Sequence, residues 1–162
     1  MNEHLILAMA EYFAGDPKQV HHTVQVQTFA MVIAQEEKAD EKTCQVLEAA
    51  AVAHDMGVKV AMELFGESSG TLQEELGPGI AEEFLRRLHC SEDVVQRAAW
   101  LVGHHHTYDN IKDIDHQILV EADFLANFYD EKMDIEQIRA AYKNIFKTET
   151  GKKLNQIGRA HV

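Results

Sequence analysis

The chain has 162 residues, of which 46% are hydrophobic and 26% charged, a composition typical of a single globular domain with a substantial core. Its formal net charge of −12 argues against proteins that hold duplex nucleic acid or anionic membranes through basic residues. The two cysteines are isolated, so we expect reduced thiols and a cytoplasmic location. No apolar run approaches about 18 residues, so we expect no membrane span.

Apolar residues recur with the helical period along the whole chain, and with only two prolines long helices face few interruptions. The first predicted helices span residues 3–14, 17–37 and 40–57. Asp16 and Asp40 are the predicted N-caps of the second and third, and Gly57 marks the predicted end of the third. This part of the chain therefore predicts three helices in succession.

The second half of the chain is also predicted to be helical. Residues 58–78 are the least regular part, with a short helix and a Gly/Ser loop. Later helices are predicted after Pro78, after Ser91, around Asp123 and from Asp134 onwards. We therefore predict an all-α, single-domain bundle of six to seven helices over residues 1–150. Residues 151–162 form a polar tail with the composition of a flexible segment.

The stretch EAAAVAHDMG, residues 48–57, places His54 and Asp55 where the neighbouring residues predict core. The pair is either a hydrogen-bonded helix end or two adjacent metal ligands. His22 shares a helical stripe with apolar residues, and Asp123 lies inside ILVEADFLANF. Burying two carboxylates on converging helices is costly, and a divalent cation with neutral imidazoles as further ligands would relieve the repulsion. Two histidines and two aspartates on separate helices therefore indicate a metal site.

The order His, His-Asp, Asp on successive helices resembles the HD superfamily of metal-dependent phosphohydrolases, in particular its small stand-alone bacterial members. Four segments carry the resemblance: HHTVQVQTFAMVIA, LEAAAVAHDMG, LVGHHHTY and ILVEADFLANFYDE. The similarity covers residues 17 to about 130, and it registers His22 rather than His21 as the first histidine. An IFKTETG-like stretch after the last segment is similar to one bacterial subgroup.

The resemblance implies an HD-domain fold and one divalent metal ion, which could be Mn, Fe, Co, Ni or Zn. The implied ligands are His22, His54, Asp55 and Asp123. The implied reaction is hydrolysis of a phosphate ester of a small metabolite, expected to be a nucleotide, with a metal-activated water as nucleophile. Asp55 would also orient the water. His104 and His105 would either contact phosphate or protonate the leaving oxygen, or orient the metal ligands without touching the substrate. Lys59 would either hold the phosphate or be an ordinary exposed lysine.

The chain also departs from the family pattern. Leu76 lies where many dinuclear members have a histidine, so one ligand for a second metal is missing, which also weighs against an HD oxygenase with two irons. Val58 follows the His-Asp-x-Gly segment where many members have lysine, and Lys59 comes one residue later. The alternative function is a metal-stabilised helical module that binds a nucleotide or partner without turnover. The sequence is also compatible with a homodimer.

Overall fold

The computed structural model describes residues 3–158, and over that range the chain forms nine helices and no strand. The helices are α1 (Glu3–Tyr12), α2 (Pro17–Glu36), α3 (Glu41–Ala53), α4 (Met56–Phe65), α5 (Gly70–Arg87), α6 (Glu92–Val102), α7 (Ile114–Asp130), α8 (Ile135–Asn144) and α9 (Glu149–Gly158). The all-α prediction is confirmed, with nine helices among the described residues where six to seven were predicted. None of the described helices is long and apolar enough to cross a membrane.

Three of the predicted helix starts, at Asp16, Asp40 and Asp134, are confirmed by capping bonds, whereas Ser91 begins α6 without a side-chain capping bond. Asp16 accepts a hydrogen bond from the backbone amide of Gln19 at 3.2 Å, and Asp40 accepts one from Thr43 at 2.7 Å. Asp134 begins α8 with a reciprocal pair of bonds to Gln137. These side chains satisfy amides that would otherwise lack an intrahelical acceptor, so each helix begins at a defined residue.

The predicted boundaries around α4 and α5 were wrong, because glycine and proline there do not end helices. The third helix stops at Ala53, and Gly57 lies inside α4. A Cβ on Gly57 would lie 3.1 Å from the backbone nitrogen of Gly77, and one on Gly77 would lie 2.7 Å from Val102. Pro78 is in the interior of α5. The glycines therefore serve the close crossing of α4, α5 and α6.

The helices that carry the predicted metal ligands pack directly on one another. Helix α2 lies against α3 and α7, and α3 also contacts α6. Six of the last seven residues of α3 are apolar and buried. They are Leu47, Ala49, Ala50, Ala51, Val52 and Ala53. Because alanine side chains are small, the end of α3 can approach its neighbours closely. This packing brings the residues that follow α3 to the centre of the bundle.

A buried glutamate on α7 holds the IFKTETG stretch. Glu121 accepts hydrogen bonds from the Thr148 hydroxyl at 2.6 Å and from the amides of Lys147 and Thr148 at 2.9 and 3.0 Å. Gln117 donates a further bond to the same carboxylate at 2.6 Å. The Gly151 amide donates to the Thr148 hydroxyl at 2.9 Å. These bonds define the start of α9, and the predicted boundary between domain and tail falls inside that helix.

We expect Gly151→Ala to destabilise the protein, because the new Cβ would lie 1.7 Å from Glu121 Oε1. The loss in free energy of unfolding should be at least about 2 kcal/mol, as for overpacked cores. Gly79→Ala is the matched control, since no atom lies within 4 Å of its Cβ position and alanine favours a helix. Urea unfolding followed by circular dichroism measures both. Equal stability of the two variants would contradict the Glu121–Gly151 packing.

Candidate metal centre

The structure brings the four predicted ligands together. His22 comes from α2, His54 follows α3, Asp55 precedes α4 and Asp123 lies on α7. His22 Nε2 lies 3.3 Å from Asp55 Oδ2 and 3.1 Å from Asp123 Oδ1. His54 Nε2 lies 3.2 and 3.4 Å from the same two oxygens. Two imidazole nitrogens and two carboxylate oxygens thus surround one point in a mostly buried region.

The outer nitrogens of both imidazoles are held by hydrogen bonds, which leaves the inner nitrogens free to face the carboxylates. His54 Nδ1–H donates to the carbonyl of Ala51 at 2.6 Å, and His22 Nδ1–H donates to Asp130 at 2.7 Å. His54 Nε2 is buried and makes no hydrogen bond, although two carboxylate oxygens are near. Ligand atoms about 2.1 Å from one tetrahedral ion are roughly 3.4 Å apart. His22, His54 and Asp123 have ligand atoms within 4.8 Å of one another, and Asp55 lies 3.2 to 3.3 Å from both imidazoles, so these residues fit a divalent cation.

The charges in the cluster compensate one another. Burial lowers the pKa of His22, but the carboxylates of Asp123 and Asp55 outweigh burial and raise that pKa to about 10. The pKa of His54 is raised well above its ordinary value in the same way, against the effect of burial. Burial alone would raise the pKa of Asp55 and of Asp123, yet the imidazoles lower both. In the metal-free chain, protons on the imidazoles thus offset the charge that a cation would neutralise.

Three residues that the sequence analysis did not single out orient this cluster. Gln19 donates to Asp55 Oδ2 at 2.9 Å, and Asn127 donates to Asp123 Oδ1 at 3.4 Å. Asp130 accepts from His22, as described above. Gln19 precedes His22 by three residues and Asp130 follows Asp123 by seven, so helical spacing places each on the face of a predicted ligand. That spacing is the signal by which they could have been found.

Two of the histidines in the GHHHTY run lie in different surroundings. His105 is fully buried; its Nδ1–H donates to Val102 at 2.7 Å, and its Nε2 lies 3.6 Å from Asp55 Oδ1 without a hydrogen bond. It therefore adjoins the cluster from the interior rather than at its mouth. His104 is not part of the cluster. Its ring stacks on Trp100 with centroids 3.8 Å apart, and its Nδ1–H donates to the Trp100 carbonyl.

The third histidine of the run is the half-buried His106. Together with Asp55 and His105, it forms a second group whose ligand atoms lie within 4.8 Å of one another. Its Nε2–H donates to Gln73 Oε1 at 2.8 Å. Burial, followed by the charge of His105, lowers the pKa of His106 to about 4, so its imidazole is neutral at neutral pH. Two α5 side chains contact His106: Gln73, three residues before Leu76, bonds its ring, and Glu74 accepts a hydrogen bond from its backbone amide at 3.2 Å.

A cleft of about 170 Å³ opens onto the cluster. Its lining residues are Asp16, Lys18, Gln19, His22, Asp55, Asn127, Asp130 and Glu131. Lys59 does not line it; its ammonium donates to the Tyr12 carbonyl at 3.1 Å and lies 5.0 Å from the centre of the Tyr12 ring. Larger cavities of about 490 and 570 Å³ share no lining residue with the cleft. Of these three cavities, the cleft is the one that gives access to the cluster.

We expect Asp130→Ala to weaken metal binding by about 10- to 100-fold, the usual effect of removing a carboxylate that orients a ligating histidine. The neighbouring Glu131→Ala is the matched control. It removes an equal charge from the cleft without touching the His22 imidazole. Competition with a chromophoric chelator would measure both affinities. Similar losses in the two variants would show that charge alone matters and that Asp130 does not orient His22.

Metal loading at pH 7 should release protons, because the raised pKa values of His22 and His54 leave both imidazoles protonated in the metal-free chain. A metal ion binds neutral imidazole, so on the order of two protons should leave per ion and affinity should fall as the pH falls. Titration calorimetry in two buffers of different ionisation enthalpy measures the number. His22→Ala should release fewer protons and the exposed neighbour variant His21→Ala the same number. Equal heats in both buffers would refute the protonated cluster.

Comparison with known proteins identifies the fold. No family model and no curated protein matches the chain. A crystal structure described as a predicted HD superfamily hydrolase, from an uncultured Thermotogales bacterium, matches 96% of this chain and 83% of that chain. The TM-score is 0.67 and the sequence identity is 24%. The chain therefore has the same all-helical fold as that protein, in agreement with the HD-domain fold that its sequence motifs imply.

Proposed function

We propose that the protein is a metal-dependent phosphohydrolase that hydrolyses a phosphate ester of a small metabolite, with a nucleotide as the expected substrate. The convergence of His22, His54, Asp55 and Asp123 around one point is the observation that carries this proposal. The HD-domain fold and the description of the Thermotogales protein as a predicted hydrolase are additional support. The finer choice between a phosphomonoester and a phosphodiester is also part of what we propose to test.

The charge of the cleft supports the requirement for a metal. Four carboxylates line the cleft and a fifth, on Asp123, lies in the cluster behind it. Lys18 is the single Lys or Arg side chain among the lining residues. A phosphate ester would be repelled by this surface, so an anionic substrate needs a local positive charge to enter. A divalent cation supplies that charge, lowers the pKa of a water molecule and polarises a phosphoryl oxygen.

The chain's own residues would position the reactants. Asp55 is the cluster carboxylate that faces the cleft, and the bond from Gln19 fixes its Oδ2. We assign Asp55 to orient the attacking water as well as to hold the ion. His105 lies beside the other oxygen of Asp55, 3.6 Å away on the interior side. Lys18, at the cleft, is better placed than Lys59 to attract the phosphate.

The alternative is a module that binds metal and a nucleotide or partner without turnover. A structural metal site is closed by four protein ligands, whereas a catalytic site keeps a position open for water or substrate. The cleft reaches Asp55 and His22 directly, which gives a substrate access to the cluster. This access favours the enzyme over the binding module.

The test is turnover by protein loaded separately with Mn²⁺, Co²⁺, Ni²⁺ or Zn²⁺. The substrates are p-nitrophenyl phosphate, bis(p-nitrophenyl) phosphate and a panel of nucleotides. We expect hydrolysis with at least one metal. Asp55→Ala should lower it by more than about 100-fold, the upper end of the loss for residues that only orient a ligand. Asp109→Ala is the control, because it is the same substitution at an exposed position in the loop between α6 and α7, and it should leave turnover unchanged.

The outcomes separate the two functions. Metal-dependent turnover that Asp55→Ala abolishes and Asp109→Ala retains would establish the phosphohydrolase. One ion bound per chain with no turnover across the panel would favour the binding module. No binding of any of the four metals would overturn both.

A further inference from the structure

The cleft at the cluster is too small to hold a whole substrate. Its volume of about 170 Å³ is below the roughly 300–1,000 Å³ of ordinary small-molecule sites. It has room for a phosphoryl group beside Asp55 and His22, but the alcohol portion of an ester must lie elsewhere. The alcohol must occupy a hollow that is continuous with the cleft.

Two hollows adjoin the cleft, one on each side. The first has a volume of about 300 Å³ and shares Asp16 and Gln19 with the cleft; we call it the α1–α4 pocket. The second, of about 280 Å³, shares Lys18 and Asp130 with it. Because each hollow shares two lining residues with the cleft, a substrate could extend from the phosphoryl site into either one.

The α1–α4 pocket is better suited to enclose an organic group. It lies between the turn that follows α1 and one face of α4. Its apolar lining includes the buried Phe13, the half-buried Val58 and Met62, which is 49% exposed, and Glu63 is among its polar lining residues. The aliphatic stem of Lys59 also contributes to its wall. In the second hollow, the largest apolar side chain is Tyr129, which is 82% exposed. A ring placed there would remain largely in water and would gain little from burial.

We propose that the α1–α4 pocket binds the alcohol portion of the substrate, and that Val58 and Met62 determine specificity. The group it fits is a compact, ring-bearing alcohol, the size of a nucleoside or smaller, with a largely apolar face. This inference rests on the proposed function, because it takes the phosphoryl group to lie in the cleft. It also gives Lys59 a place at the pocket wall rather than at the phosphate.

The test compares the binding of methylphosphonate and phenylphosphonate to Mn²⁺-loaded protein by calorimetry. Neither compound is an ester, so binding is measured without turnover. Phenylphosphonate should bind the wild-type protein about tenfold more tightly or better, because its ring is buried. Met62→Trp and Val58→Phe fill the pocket and should each remove this advantage while methylphosphonate binding is unchanged. Leu64→Trp, on the same helix at a side chain that is 65% exposed and outside the pocket, should retain it.

The outcomes distinguish failure of this inference from failure of the proposed function. If methylphosphonate binds but phenylphosphonate binds no better, or if the advantage survives both filling variants, the pocket does not hold the alcohol. If Tyr129→Ala alone removes the advantage, the alcohol lies in the second hollow and the inference is overturned. If methylphosphonate itself does not bind, the phosphoryl site fails, and the proposed function falls together with the inference.

Discussion

The structure depends on the burial of two carboxylates within reach of the same two imidazoles. An unpaired buried charge costs several kcal/mol, so Asp55 and Asp123 are tolerable only where opposite charge is close. Each of the two carboxylates has an oxygen within 3.4 Å of both His22 Nε2 and His54 Nε2. These residues come from α2, from the junction of α3 and α4, and from α7. Displacing any one of these elements would leave a charge unpaired, so the cluster also fixes how the helices pack.

The sequence predicts the start of a helix where the capping residue is close to the amides it caps. It does not predict a helix boundary that depends on contacts with residues far along the chain. Asp16 and Asp40 are followed closely by the amides they cap, so sequence indicates both helix starts. Gly57 and Pro78 look like helix breakers, and only the close approach of Gly57 to Gly77 shows why glycine lies inside α4. The start of α9 depends on Glu121, which is 27 residues from Thr148 in sequence. A capping group so remote leaves no periodic signal near the helix it caps.

The same distinction applies to the site. The order of histidines and aspartates predicts a cluster of His22, His54, Asp55 and Asp123, and the structure brings these side chains together. The hydrogen bond between His22 and Asp130 depends on how α2 and α7 are rotated relative to each other, and the periodicity of the sequence does not predict that rotation. The histidine run is a further example. Because α6 ends just before it, successive side chains in the turn diverge, and His104 contacts Trp100 while His105 adjoins Asp55.

Helix α4 has two faces with separate tasks. Gly57 and Ala61 are buried, and Gly57 lies against α5, where even a methyl group on it would be crowded. Val58 and Met62 lie about 100° further round the helix and line the α1–α4 pocket. A larger side chain at Gly57 would therefore displace α4 from α5, whereas a change at Val58 or Met62 alters the shape of the pocket and leaves the packing that positions Asp55 intact.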